Sequence, residues 1–221
     1  MNKNIVIVGI GGSLGSALKK HFDAQQAVVY GTSSKKNTSS ENVFYLDFMD
    51  DSSIDSFPDF PIDHLIICAG YEPKYNLSQS NQEHIEKMFR IHVIGPMLLL
   101  KKVQNNFTAD SSVTFISSVA AYQGSYDPSY SAVKGAINSL IRTFAKDFAP
   151  STRVNGLAPS LIDDSTVFFG MTEDFKLNHL ARTLNKRFLS LEECCEAIDF
   201  IINAKHYTGQ VLHLNGGTIY G

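Results

Sequence analysis

Tyr130-Ser-Ala-Val-Lys134 places a phenol and an ammonium four residues apart. On a helix that spacing sets both groups on one face. An ammonium beside a phenol favours the phenolate and lowers a pKa that starts near ~10. Such a tyrosine can exchange a proton with a substrate oxygen near neutral pH. Upstream, an apolar run ends in Ile116-Ser-Ser-Val119, where a hydroxyl could hydrogen-bond the same oxygen. Taken alone, Tyr-x-x-x-Lys is also met as an exposed helical pair with no chemistry.

A second cluster lies near the start. Ile5-Val-Ile-Val-Gly-Ile-Gly-Gly-Ser-Leu-Gly-Ser-Ala-Leu18 reads as a buried strand, a glycine-rich turn and a helix start. Glycines at 9, 11, 12 and 15 allow a tight turn and close approach to a pyrophosphate. The helix behind them offers free N–H groups and the positive end of its dipole. In this strand–turn–helix setting the turn predicts nucleotide binding. Its spacing departs from the six-residue dinucleotide fingerprint, because position 14 is Leu.

The elements that must carry these groups follow from the pattern of apolar residues. Runs at 5–8, 27–30, 43–46, 64–68, 113–116, 153–157 and 210–214 read as strands, several apolar throughout, as strands covered on both faces are. Helical stretches fall at about 14–23, 51–57, 81–106, 129–149, 173–184 and 191–204. The alternation predicts an α/β fold: a doubly wound parallel sheet of about seven strands with helices on both faces. No linker divides the chain, so residues 1–221 are expected to form a single domain. The polar stretch 32–42 is a loop with at most one helical turn. Residues 160–190 are weakly patterned and follow the sixth strand, where ligands of such sheets bind, so they are expected to form a short substrate lid.

Composition narrows the partners. A net charge of −3 lacks the basic footprint of a nucleic-acid binder. No apolar run is long enough to span a membrane and no apolar signal segment precedes the first strand, so a cytoplasmic protein is expected. The cysteines are odd in number, and Cys194 and Cys195 are adjacent, which is poor metal-ligand spacing; reduced thiols and no metal are expected.

Together these motifs resemble the short-chain dehydrogenase/reductase family. The turn is similar to the family's Gly-x-x-x-Gly-x-Gly, with Gly9 and Gly15 at the outer glycines and Ser13 at the middle one. Ser, a short loop, then Tyr-x-x-x-Lys is the family's catalytic order. Leu65-Ile-Ile-Cys-Ala-Gly70 resembles its Asn-Ala-Gly strand end, with Cys68 for Asn. Arg153-Val-Asn-Gly-Leu-Ala-Pro-Ser160 resembles its Arg-Val-Asn…Pro-Gly segment, with Ser160 for Gly. Tyr207-Thr-Gly-Gln-Val-Leu-His-Leu-Asn-Gly-Gly217 is similar to the C-terminal strand of 3-oxoacyl-carrier-protein reductase-like members.

The resemblance implies roles for particular residues. Tyr130 would be the general acid or base, Lys134 would tune it and hold the nicotinamide ribose, and Ser118 would orient the carbonyl. His92 stands where the family places an Asn that helps hold a water. It either keeps that proton role, with an unusual pH profile, or only packs the helix. Gly9, Ser13, Leu14 and Gly15 would cradle the pyrophosphate. Asp47 and Phe48 would border the adenine, with Cys68, Ala69 and Gly70 passing near its ribose, and Pro159, Ser160 and Ile162 would flank the nicotinamide. Asp164 replaces a Thr that relatives aim at the cofactor, so this loop is expected to run differently. Tyr122, Tyr126, Phe168 and Phe169 either line a substrate pocket or simply cover loops. The apolar stretch 88–103 either belongs to a homodimer or homotetramer interface, as the resemblance implies, or is a well-buried core helix.

The second strand end bears on cofactor choice. Ser33 stands where NAD-users of the family carry an acid, and Ser34 and Lys35 follow, a set suited to a 2′-phosphate. NADP(H) is therefore expected over NAD(H). The implied activity is hydride transfer between nicotinamide and a small carbonyl or alcohol. The competing reading is a catalytically silent dinucleotide-binding sensor or scaffold, motivated by the departures at Ser13, Cys68, His92, Ser160 and Asp164.

Overall fold

A computed structural model describes residues 3–36 and 41–219. In chain order the elements are β1 (Asn4–Val8), α1 (Ser13–Ala24), β2 (Val28–Ser33), β3 (Val43–Tyr45), α2 (Asp51–Asp55), β4 (Ile62–Ile67), α3 (Gln82–Phe89), a π-helical turn (Arg90–Ile94), α4 (Gly95–Val103), a 3-10 turn (Gln104–Asn106), β5 (Phe107–Ile116), α5 (Ala120–Gln123), α6 (Pro128–Asp147), β6 (Thr152–Pro159), α7 (Thr166–Gly170), α8 (Glu173–Arg182), α9 (Leu191–Asn203) and β7 (Val211–Leu214). The strands form one sheet in the order β3-β2-β1-β4-β5-β6-β7, every pair parallel. The expected seven-stranded parallel sheet is therefore present.

Side-chain alternation along each strand feeds two cores. From β1, Val6 and Val8 pack with Leu65, Ile67, Phe115, Leu99, Leu100 and Ile141 on the face covered by α4 and α6. Ile5 and Ile7 point the other way, to Leu18, Phe22, Ile198 and Ile202 of α1 and α9. Burial on both sides explains why these strands read as apolar throughout, and all eight residues of β6 are buried. Strand order reverses between β1 and β4, and the carboxyl ends of the strands there open into a cleft, as in other open α/β sheets.

Local signals set the element ends. Ser190 and Glu193 form a reciprocal capping box that starts α9. Asp127 caps α6, with Pro128 in its first turn. The stretch expected as one helix over 81–106 is interrupted by the π-helical turn around His92. Periodicity does not report such a turn, since one inserted residue barely disturbs the apolar stripe. The short helices α5 and α7 escape the sequence reading because their stretches carry no apolar period that marks a helix. No helix among the described residues is long and apolar enough to cross a membrane.

Candidate active site

The cleft encloses about 830 Å³ and runs from the glycine turn after β1 to the segment after β6. At one end Gly9 adopts φ +86°, a conformation that favours glycine, and an added Cβ would lie 2.8 Å from the Ala69 nitrogen. A Cβ on Gly15 would fall on the Gly9 carbonyl oxygen. The Gly9 N–H donates to Thr32 Oγ1 at 3.1 Å, and the Ile10 N–H to the Thr32 carbonyl at 3.1 Å, so β2 holds the turn in shape. Helix α1 then starts at Gly12 with no side-chain cap. A turn held open by glycine, with uncapped N–H groups at a twelve-residue helix, fits a pyrophosphate.

The other expected cofactor residues distribute unevenly along the cleft. Gly9, Ser13, Leu14, Asp47, Phe48, Cys68, Ala69, Gly70, Pro159, Ser160 and Ile162 line it. Gly15 lies behind the turn, where its missing side chain permits helix α1 to approach the strand end. The Asp47 carboxylate also accepts from the Met49 N–H at 2.9 Å, so it caps its own turn while facing the cleft. Of the proposed phosphate residues, Ser34 lines the cleft, whereas Ser33 and Lys35 do not. Ser33 Oγ is engaged locally, accepting from the Lys35 N–H at 3.1 Å. The stretch 37–40 lies outside the described residues.

Ile162 presents its backbone. A parallel bridge pairs it with Leu189 through the flanking residues: Asp163 N–H donates to the Leu189 carbonyl and Leu189 N–H to the Leu161 carbonyl. Among the described residues the Ile162 N–H is left without a protein partner, while its carbonyl accepts from Ser165 Oγ at 2.7 Å. Asp164 adopts φ +52°, is exposed, and does not line the cleft. At this point the Asp164 carboxylate turns away from the cleft, while Ser165 and Thr166 line it.

At the middle of the cleft, Ser118, Tyr130 and Lys134 converge. The Ser118 hydroxyl accepts from the Ala120 N–H at 3.1 Å and lies beside the Tyr130 phenol. Lys134 is buried one turn further along α6; its Nζ lies 5.4 Å from the Tyr130 ring centre and donates to the Ile116 carbonyl at 2.8 Å. The expected lowering of the phenol by this ammonium is not what the arrangement gives. Burial is the largest influence and pushes Tyr130 up to about 12, with the polar Ser118 hydroxyl nearby acting the other way. Burial likewise pushes Lys134 down to about 7. The pair is thus a protonated phenol beside an amine that titrates near neutrality.

His92 is buried against the same tyrosine, ring centres 5.9 Å apart and edge-on. Its Nε2 lies 2.9 Å from the Tyr71 nitrogen and 3.0 Å from the Tyr71 oxygen, so either tautomer ties the ring to Tyr71. Burial drives its pKa down to about 3. The near-neutral titration expected of His92 is therefore corrected: the ring stays uncharged there. A Cβ on Gly70 would lie 3.2 Å from its Cε1, so the glycine leaves room for the imidazole.

With this geometry in place, similar proteins become informative. Residues 12–218 match the family model described as Enoyl-(Acyl carrier protein) reductase. A glucose and ribitol dehydrogenase homolog of Arabidopsis thaliana is 31% identical over 163 residues, which cover 72% of this chain and 56% of that protein. The chain thus spans little more than half of that relative. A short-chain dehydrogenase/reductase structure from Brucella melitensis, titled a glucose/ribitol dehydrogenase, superposes with a TM-score of 0.86 at 26% identity, covering 100% of this chain and 98% of that one. A small-chain dehydrogenase solved in complex with NADPH gives a TM-score of 0.87 at 22% identity over the full length of both chains. The chain belongs to the short-chain dehydrogenase/reductase family.

Thr32, Glu72 and Gln123 line the cleft without belonging to a family motif singled out from the sequence. Thr32 sits inside a strand, where period-two reading cannot tell a turn-holding hydroxyl from packing. The 160–190 segment forms α7 and α8, and Met171, Phe175, His179 and Arg182 face the cleft from it. Ser13, at the family's middle glycine, accepts from the Thr166 N–H at 3.1 Å and pairs with Thr166 Oγ1 at 3.2 Å, so the segment is fastened to the glycine turn. Of the loop aromatics, Tyr126 lines the cleft. Tyr122 packs on His213 instead, Phe168 packs on Phe188, and Phe169 is exposed. The three cysteines are free.

Proposed function

We propose that this chain is an NADP(H)-dependent oxidoreductase that reduces the carbonyl of a small molecule, or oxidises the matching alcohol, with Tyr130 as general acid or base. The observation that carries the reading is the meeting of Ser118, Tyr130 and Lys134 in the same cleft that ends at the glycine turn. A bound nicotinamide dinucleotide would supply or accept the hydride. Ser118 orients the carbonyl oxygen, and the protonated Tyr130 phenol gives it a proton. A phenol held near 12 is protonated at neutral pH, the form that gives a proton to a carbonyl oxygen. Lys134 places positive charge beside that oxygen and reaches toward the ribose side of the cleft. His92, uncharged and tied to Tyr71, serves as packing for Tyr130 in this account rather than as a proton relay.

Preference for NADP(H) over NAD(H) rests on the absence of an acid between β2 and Glu41 and on Ser34 at the cleft wall. The NADPH complex of the similar small-chain dehydrogenase is consistent with it. The exposed Ile85, Ile94 and Met97 on α3, the π turn and α4 support assembly into a homodimer or homotetramer through that side. We place the protein in the cytoplasm.

A silent cofactor-binding module is the competing reading. It requires no convergence of Ser118, Tyr130 and Lys134. Tyr130→Phe separates the two: reduction of a carbonyl panel should fall by about 100-fold or more, while affinity for NADPH stays unchanged. Full activity in Tyr130→Phe would remove the proton role.

A further inference from the structure

Asp127 directly precedes the helix that carries Tyr130, and its side chain is completely buried. A buried carboxylate is costly unless its oxygens are satisfied. Both are, and they serve different parts of the molecule. Oδ1 accepts from the Ser129 N–H at 3.0 Å, the Ser129 hydroxyl at 2.6 Å and the Tyr130 N–H at 3.2 Å, closing the first turn of α6. Oδ2 accepts from the Lys74 N–H at 3.0 Å and the Tyr75 N–H at 3.5 Å, and lies 2.8 Å from His84 Nε2. Burial would raise the pKa of this carboxyl, but the hydrogen bonds, led by that of Ser129, hold it down to about 2, so Asp127 is ionised across the working range.

The loop served by Oδ2 follows β4 and forms the cleft wall near Tyr130. Tyr71, Glu72 and Pro73 line the cleft, and the Tyr126 hydroxyl donates to the Pro73 carbonyl at 2.6 Å. The buried His84 ring packs against two residues of the same loop, 5.6 Å from Tyr71 and 4.8 Å from Tyr75 between ring centres. Its Nδ1 has no hydrogen-bond partner among the described residues, so its polar contact is directed at Asp127. A helix cap needs one oxygen. The second oxygen and the histidine are not required by α6.

We propose that Asp127 and His84 are positioning residues of the reaction: one ionised carboxylate fixes both the start of the Tyr130 helix and the substrate-facing loop, so the proton donor and the wall that orients the carbonyl are set relative to each other. The inference rests on the proposed function, with Tyr130 as proton donor. Neither residue belongs to a motif that relates the chain to its family, and neither touches the reacting atoms.

Two substitutions separate the loop clamp from the helix cap. Asp127→Ser keeps a hydroxyl that caps α6 but cannot reach Lys74 or Tyr75. His84→Leu removes the partner from the far side, and His84→Gln restores a donor. In full-length protein, NADPH affinity should be unchanged in all three. For the best aldehyde or ketone of a panel, KM should rise about 10-fold in Asp127→Ser and His84→Leu and return toward wild type in His84→Gln. Amide exchange at residues 71–77 should speed up in the same two variants while α6 stays protected. Should Asp127→Ser not fold, the two His84 variants decide. Unchanged KM and loop exchange in His84→Leu would overturn the proposal, as would a general loss of NADPH binding that His84→Gln does not repair. A wild-type protein that reduces no carbonyl would defeat the proposed function instead, and loop exchange would still decide whether Asp127 couples the two elements.

Discussion

In the proposed reaction the chemistry rests on the protonation of two buried side chains. Lys134, pushed down to about 7, carries its charge below that pH and loses it above, whereas Tyr130 keeps its proton up to about 12. The sign follows: with saturating NADPH, the reduction rate should fall as pH rises through about 7, because the ammonium beside the substrate oxygen is lost while the acid remains. A rate measured from about pH 6 to 9 that stays flat or climbs would contradict this assignment. These two residues and Ser118 were legible in the sequence because their spacing on one strand end and one helix face is their chemistry. Their pKa values were not, since burial by residues distant in the chain outweighs the neighbouring charge. His92 shows the same limit: its position in the chain was readable, but its uncharged state depends on Tyr71 and on depth.

Elements place those residues, and the glycine turn is the most exacting of them. Gly15→Ala should abolish NADPH binding and lower stability by about 1–3 kcal/mol, because its Cβ would fall on the Gly9 carbonyl rather than on a movable side chain. A thermal melt and a nicotinamide titration check both parts; a variant that melts and binds like wild type would mean that the helix can shift away. Strand and helix order was legible because each strand is buried on both faces and each long helix carries an apolar stripe. What was not legible is short or tertiary. The start of α7 is tied to the glycine turn by Ser13 accepting from the Thr166 N–H, two residues 153 positions apart. The local use of Ser33, the last residue of β2, as acceptor for the Lys35 N–H is likewise a detail the sequence does not show. Substituting Ser190→Ala, which breaks the capping box of α9, should cost about 1 kcal/mol and leave cofactor affinity unchanged, separating fold stability from the cleft.

At the scale of the whole molecule, one parallel sheet gathers the glycine turn, the Asp47–Phe48 turn and the Tyr130 helix along its carboxyl edge. A ligand that binds only the folded chain stabilises it, so NADPH at about 100 times its Kd should add about 2.7 kcal/mol and raise Tm accordingly. Absence of any shift would place the ligand elsewhere or nowhere. The most direct test of the account is a side-by-side titration of the protein with NADPH and NADH, read by nicotinamide fluorescence. The account predicts saturable binding of both, tighter for NADPH. Tighter NADH binding would overturn the phosphate assignment at Ser34, and no binding of either would contradict the cofactor cleft itself.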